Sequence, residues 1–187
     1  MTLMAGLSAY QFGSLTTMRG SSHEILEKDF FAFELIATIR QSELQMAAHR
    51  ESAVALHFLK SADLVDATSR VAQQDWESAR QRTAEGINKL LVLAKERVES
   101  SRISENAELW RGLVNNAEAS ETKLAQIGEA VNAQFELLNS NQLAELQSQL
   151  EIVQGLRVDF DDQMGQLDNG AGSIVVAAQR AIDAIYL

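Results

Sequence analysis

Apolar residues recur every seven positions along most of this chain. Ile103, Trp110, Ala117, Leu124, Val131 and Leu138 form one unbroken column. Leu113 and Ile127 fill the intermediate spacing, while Asn106, Ser120 and Gln134 dilute it. A second register runs Leu143, Leu150, Arg157, Met164, Ala171, Ala178, Ile185, accompanied by Leu146, Val153, Phe160, Leu167, Ile174 and Ala181. The first half is noisier, with one seam through Ile25, Ala32, Leu35, Ile39, Ser42, Met46, His49, Ala53 and Leu56. Another passes through Ala62, Val65, Ser69, Ala72, Trp76, Ala79, Thr83, Leu90 and Leu93. A sustained seven-residue repeat indicates long helices packed in coiled-coil fashion.

Breaks are expected near Lys60-Ser61, at Glu99-Ser100-Ser101-Arg102 and at Asn139-Ser140-Asn141. They divide the pattern into four helices of about 40 residues, each about 60 Å long at 1.5 Å per residue. Short connections make neighbouring helices antiparallel. The expected fold is therefore all-α, an up-down-up-down four-helix bundle, with residues 1–187 as a single domain. The repeat continues through Asp168-Asn169-Gly170-Ala171-Gly172, which reads as weakened helix and not as a loop. Ser21 and Glu24 have the spacing of a capping box, unless they lie within a longer helix.

Composition agrees with this pattern. There is no proline among 187 residues, where average usage would give roughly nine. Proline lacks the N–H that a helix interior needs, so its absence suits a chain that is nearly all helix. No cysteine is present, which removes disulfides and thiolate metal sites. The formal charge of −10 argues against nucleic acid, whose phosphates demand basic patches. The acidity is uneven, net −1 over residues 1–102 and net −9 over residues 103–187. The third and fourth helices therefore present an acidic, solvated face.

No apolar run is long enough to cross a membrane. The opening MTLMAGLSAYQFGSLTTM lacks the basic start and cleavage site of a signal peptide. It reads either as the first turns of a soluble helix or as the outer end of a membrane span, with Met1, Leu3, Met4, Leu7 and Tyr10 suited to a lipid boundary. The closing SIVVAAQRAIDAIYL is apolar too. Both ends are expected to abut membrane spans lying outside residues 1–187.

Catalytic chemistry is not visible. There is no phosphate loop, no GxGxxG and no HExxH, and nothing marks a nucleophile beside a base. Asp159-Phe160-Asp161-Asp162 lacks the Gly and Glu of a calcium loop and reads as an acidic helix face. His49 and His57 are two turns apart and read as isolated side chains. The expectation is a non-enzyme without metal or cofactor.

Arg157 is the exception, since it occupies a heptad position between Leu150 and Met164, and a buried guanidinium needs a partner. Counting back from the expected breaks puts Arg157 level with residue 124, Arg40 level with Arg82, and Arg157 near Arg40. One layer would then hold Arg40, Arg82, Lys123 and Arg157, with Thr38 and Thr83 as nearby hydroxyls. Such a layer suits a small carboxylate or other anion. The same layer also reads as internal salt bridges to Glu43, Glu85, Glu121 and Asp159.

The segment LMAGLSAYQFGSLTTM, the helix ELIATIRQSELQMAAHRESAVALHFL and the closing QSQLEIVQGLRVDFDDQMGQLDNGAGSIVVAAQRAIDAIYL together resemble the periplasmic ligand-binding domains of bacterial methyl-accepting chemotaxis receptors and related histidine kinases. The resemblance is one of architecture and spans the whole chain. It implies a homodimer anchored in the inner membrane, a small-molecule ligand, and a signal passed as a small helix displacement. Polar interruptions at Ser42, His49, Thr83, Gln134 and Arg157 would ease such sliding. Two other readings are a structural or protein-interaction bundle without a small-molecule ligand, and a bundle that opens onto membranes, which the acidic face disfavours.

Overall fold

A computed structural model describes the backbone of residues 2–58, 64–101 and 104–186 and the side chains of residues 30–58, 70–101, 106–180 and 183. Four helices account for nearly all of it: α1 Thr2–Phe58, α2 Leu64–Ser100, α3 Ser104–Asn139 and α4 Leu143–Tyr186. No strand occurs among the described residues. The lengths are 57, 37, 36 and 44 residues, so α1 is well above the expected 40. Ser21 and Glu24 fall inside the span of α1, so no helix starts there.

The turn between α3 and α4 falls where expected. Asn141 takes a left-handed φ of 57°. The Gln142 amide donates to the Leu137 carbonyl at 2.9 Å and the Asn141 amide to that of Leu138 at 3.1 Å. This crossed pair satisfies carbonyls that a helix end otherwise leaves orphaned, and Asn tolerates the conformation better than most residues. α2 closes at Ser100, where the Ser101 amide and hydroxyl both donate to the Arg97 carbonyl. The expected break at Lys60-Ser61 lies outside the described residues.

Cross-helix contacts set the register. A Cβ added to Gly86 of α2 would meet Ile39 of α1, and Arg82 Nη2 donates to Gln45 Oε1 at 3.0 Å. Trp76 of α2 stacks edge-to-face on Phe135 of α3 with centroids 5.6 Å apart. Lys123 of α3 pairs with Asp159 of α4 at 2.7 Å. Arg157 of α4 pairs with Glu51 of α1 at 3.2 Å. A second contact on each of the other seams, Lys95 with Glu118, Asn116 with Gln166 and Arg40 with Asp168, shows the number rising on one helix as it falls on the other. Every neighbouring pair is therefore antiparallel, and the order around the bundle is α1, α2, α3, α4. The closest-packed pairs are α1 with α2 and α3 with α4, while the seam between α1 and α4 is the lightest of the four.

The core is built from the heptad columns. Ala32, Leu35, Ile39, Ser42, Met46 and Ala53 of α1, and Ala72, Trp76, Ala79, Thr83, Leu90 and Leu93 of α2, are buried. Trp110, Leu113, Ala117, Leu124, Ile127, Val131 and Leu138 of α3 face Leu146, Val153, Phe160, Met164, Leu167, Ala171, Ile174 and Ala178 of α4. α4 runs unbroken through Gly170 and Gly172, as expected, and a Cβ at Gly170 would sit 3.3 Å from Leu113 Cδ1. There the missing side chain lets α3 and α4 approach.

Candidate functional site: the charged groove between α1 and α4

A third column on α1 carries the unusual residues. Ile36, Glu43, Arg50 and His57 are seven apart, and this column is turned inward. Ile36 is buried as the pattern demands, but Glu43 is only 7% exposed and Arg50 likewise 7%. Burial of either charge is unfavourable unless it is matched. Arg50 Nε and Nη1 are buried and make no hydrogen bond, and neither does His57 Nε2. Burial and the neighbouring Arg157 both push the Arg50 pKa down, and Glu51 opposes them.

Opposite this column, α4 presents Gln154, Arg157, Val158 and Asp161, which with Arg40, Glu43 and Leu44 line a groove pocket of about 170 Å³. That is below the roughly 300 Å³ at the lower end of drug-sized pockets, so the space suits a small molecule. Arg40 at one end is already engaged, with Nε 2.6 Å from Asp168 Oδ2 and Nη1 3.2 Å from Asp161 Oδ1. Among the described residues Arg157 has only the outer Glu51 at 3.2 Å, and its own Nε is buried without a partner. Glu43 makes no hydrogen bond or ion pair among the described residues. Burial chiefly raises its pKa; the Arg157 charge opposes that, Asp161 adds to it and Arg40 opposes it.

The expected four-cation layer does not form. Arg40 and Arg157 do meet at one groove, but Arg157 is not a core residue. Its side chain is 23% exposed, because α4 is turned so that Val153, Phe160 and Met164 take the interior. Arg82 is exposed and binds Gln45 on the α1/α2 side. Lys123 lies on the α3/α4 side against Asp159, the one expected salt-bridge partner that is used. Thr83 is fully buried, and its hydroxyl donates to the Ala79 carbonyl at 2.9 Å, so it is spent within its own helix. Thr38 is exposed and donates to the Glu34 carbonyl at 2.9 Å. Arg50 was absent from the sequence reading, and Glu43 entered it only as an internal salt-bridge partner. The signal available for them was the seven-residue spacing Ile36–Glu43–Arg50–His57, an apolar column continued by charge.

No group of histidine, aspartate and glutamate among the described residues is arranged to hold a metal ion, and no described helix is long and apolar enough to cross a membrane. Asp159, Asp161 and Asp162 sit on continuous helix α4. Comparison with protein-family models, curated proteins and solved structures gave no match.

Proposed function

We propose that this bundle is an extracytoplasmic sensor domain of a membrane-anchored receptor, one that binds a small anion in the α1/α4 groove and relays occupancy as a displacement of those helices. The observation that carries the reading is Arg157, which lines the groove with its Nε buried and unpartnered, while Arg50, outside that lining, is nine-tenths buried with two unpartnered nitrogens and near enough to repel it, in a chain of formal charge −10. Two neighbouring cations inside an acidic protein are unfavourable on their own account. An anion supplied from outside would offset that cost through charge-assisted hydrogen bonds. The groove lies on the lightest seam of the bundle, where a ligand can favour one helix arrangement over another.

The partner we assign is a second copy of the chain. Phe30, Phe33, Ala37, Leu44 and Ala48 are exposed and fall within about 60° of arc on α1 at 100° per residue. Phe30, Phe33 and Leu44 are 56%, 48% and 65% exposed, which is unusual for side chains of that size unless something covers them. Leu44 belongs both to this stripe and to the groove lining, so dimer contact and ligand contact share a residue. A foreign helix on the same stripe is the alternative, an interaction module without a small-molecule ligand.

Thermal denaturation in the presence of acetate, butyrate, benzoate and succinate tests the proposal. A ligand at a hundredfold its Kd adds about 2.7 kcal/mol of stability, which for a domain of this size raises Tm by about 5–10 °C. Arg157→Ala removes the shift, and Lys123→Met, on the far side of α4, leaves it intact. An unchanged Tm with every anion would refute the sensor reading.

A further inference from the structure

The charges in the groove are not simply positive. Arg40 is occupied by two carboxylates and contributes little unpaired charge. Arg157 supplies a cationic group to the lining, with the buried Arg50 nearby but outside it, while Glu43 supplies a carboxyl group that no described residue pairs, Asp161 being engaged by Arg40. Glu43 and Arg157 face the same pocket from opposite helices and attract each other, yet no ion pair joins them, and each keeps unused hydrogen-bonding capacity. A plain monocarboxylate on Arg157 would leave Glu43 unmatched and bring a second negative charge towards it. A dicarboxylate would worsen that repulsion, and a simple amine would meet Arg157 and Arg50. Leu44 and Val158, 65% and 53% exposed, line the same pocket and offer apolar surface to a hydrocarbon spacer.

We infer that the groove takes a small zwitterion, an ω-amino carboxylate, with its carboxylate on Arg157 and its ammonium on Glu43. This rests on the anion-binding reading above and narrows it to one ligand class. Glu43 and Arg157 form no ion pair with each other, and the apolar Leu44 and Val158 line the same pocket, so the ligand is assigned a hydrocarbon spacer between its charges; Gln154, also in the lining, is available to the carboxylate end.

Isothermal titration of the 187-residue chain at pH 7.5 with glycine, β-alanine, γ-aminobutyrate, 5-aminovalerate, butyrate, butylamine and succinate is the test. One of the ω-amino acids should bind at least tenfold more tightly than butyrate, butylamine, glycine and succinate. Glu43→Gln should reduce that ligand to the affinity of butyrate, and Glu43→Asp should restore part of the difference. Arg157→Ala should abolish binding of both, and Lys123→Met should change neither. If butyrate equals the ω-amino acids, or succinate is tightest, the zwitterion assignment falls while anion binding survives. If glycine exceeds the longer members, the spacer is wrong. Silence with every compound overturns the anion reading itself.

Discussion

Gly86 sits in the middle of α2, where alanine would ordinarily be the better residue. On propensity alone Gly86→Ala should stabilise a helix interior by about 1 kcal/mol. Here the new Cβ would lie 2.6 Å from Ile39 Cγ1 on α1, closer than carbon atoms approach. Ile39 is fully buried, and a β-branched side chain in a helix is largely held to one χ1 rotamer. It has no easy retreat, so α1 and α2 must move apart there. Overpacking of this kind costs about 1–3 kcal/mol, and the net effect is a loss of up to about 2 kcal/mol, a fall in Tm of several degrees. Gly112 is the control, since a Cβ there meets nothing within 4 Å, and Gly112→Ala should gain about 1 kcal/mol. Urea denaturation of both variants reads the difference. A double-mutant cycle with Ile39→Ala should show strong coupling to position 86, because the cavity left by one change accommodates the other. If Gly86→Ala and Gly112→Ala stabilise equally, the close approach of α1 and α2 is not real.

The raised pKa of Glu43 makes stability depend on pH. Its contribution is complete below the ordinary value of 4.5 and is lost as pH rises through the raised folded value, because ionisation is harder in the folded state. Glu43→Gln should therefore raise Tm at pH 7 and give no gain at pH 4, and an equal difference at both pH values would contradict this. Arg50→Met should stabilise the empty protein by about 1–3 kcal/mol, the usual cost of a buried unsatisfied group, while weakening anion binding; a destabilised variant would show that Arg50 is compensated. Phe33→Asp should convert a dimer to a monomer by light scattering and abolish the rise of Tm with protein concentration that a dimer shows, and a wild-type monomer at high concentration would dismiss the stripe as a dimer face.

The fold was legible because every layer repeats the same signal. Trp110, Ala117, Leu124, Val131 and Leu138 are buried at seven-residue intervals, and the turn at Asn139–Asn141 coincided with the place where the register changed. The site was legible only in part. Arg157 was marked because it interrupted an apolar column, and its pairing with the Arg40 groove followed from counting along antiparallel helices. Arg82 was placed one helical turn from its true level, since Gln45, not Arg40, lies opposite it. Its neighbour Thr83 faces the core, and a step of one residue rotates a side chain by about 100°. Arg50 escaped, and Glu43 was read only as a salt-bridge partner, because a column containing two charges does not register as apolar periodicity, and only the neighbouring Ile36 betrays that it points inward. Composition and spacing report where greasy residues go; they report a buried charge only after the helix faces are known.

The position of those charges bears on how a signal would travel. Two tightly packed hairpins, α1 with α2 and α3 with α4, meet along two seams, and the α1/α4 seam is the lighter. Apolar interdigitation resists sliding because each step leaves a void, whereas a seam held by Arg40 with Asp161 and Asp168, and by Arg157 with Glu51, can exchange partners at exposed carboxylates for little free energy. Asp161 and Asp168 stand two helical turns apart on α4 and both contact one guanidinium, so Arg40 already spans alternative positions along the partner helix. A ligand that joins Arg157 to Glu43 would favour the register that brings those two together, and its differential affinity is the only free energy available for the shift. The buried Arg50 beside Arg157 would add to that difference only if the register that the ligand favours relieved its burial or its repulsion by Arg157.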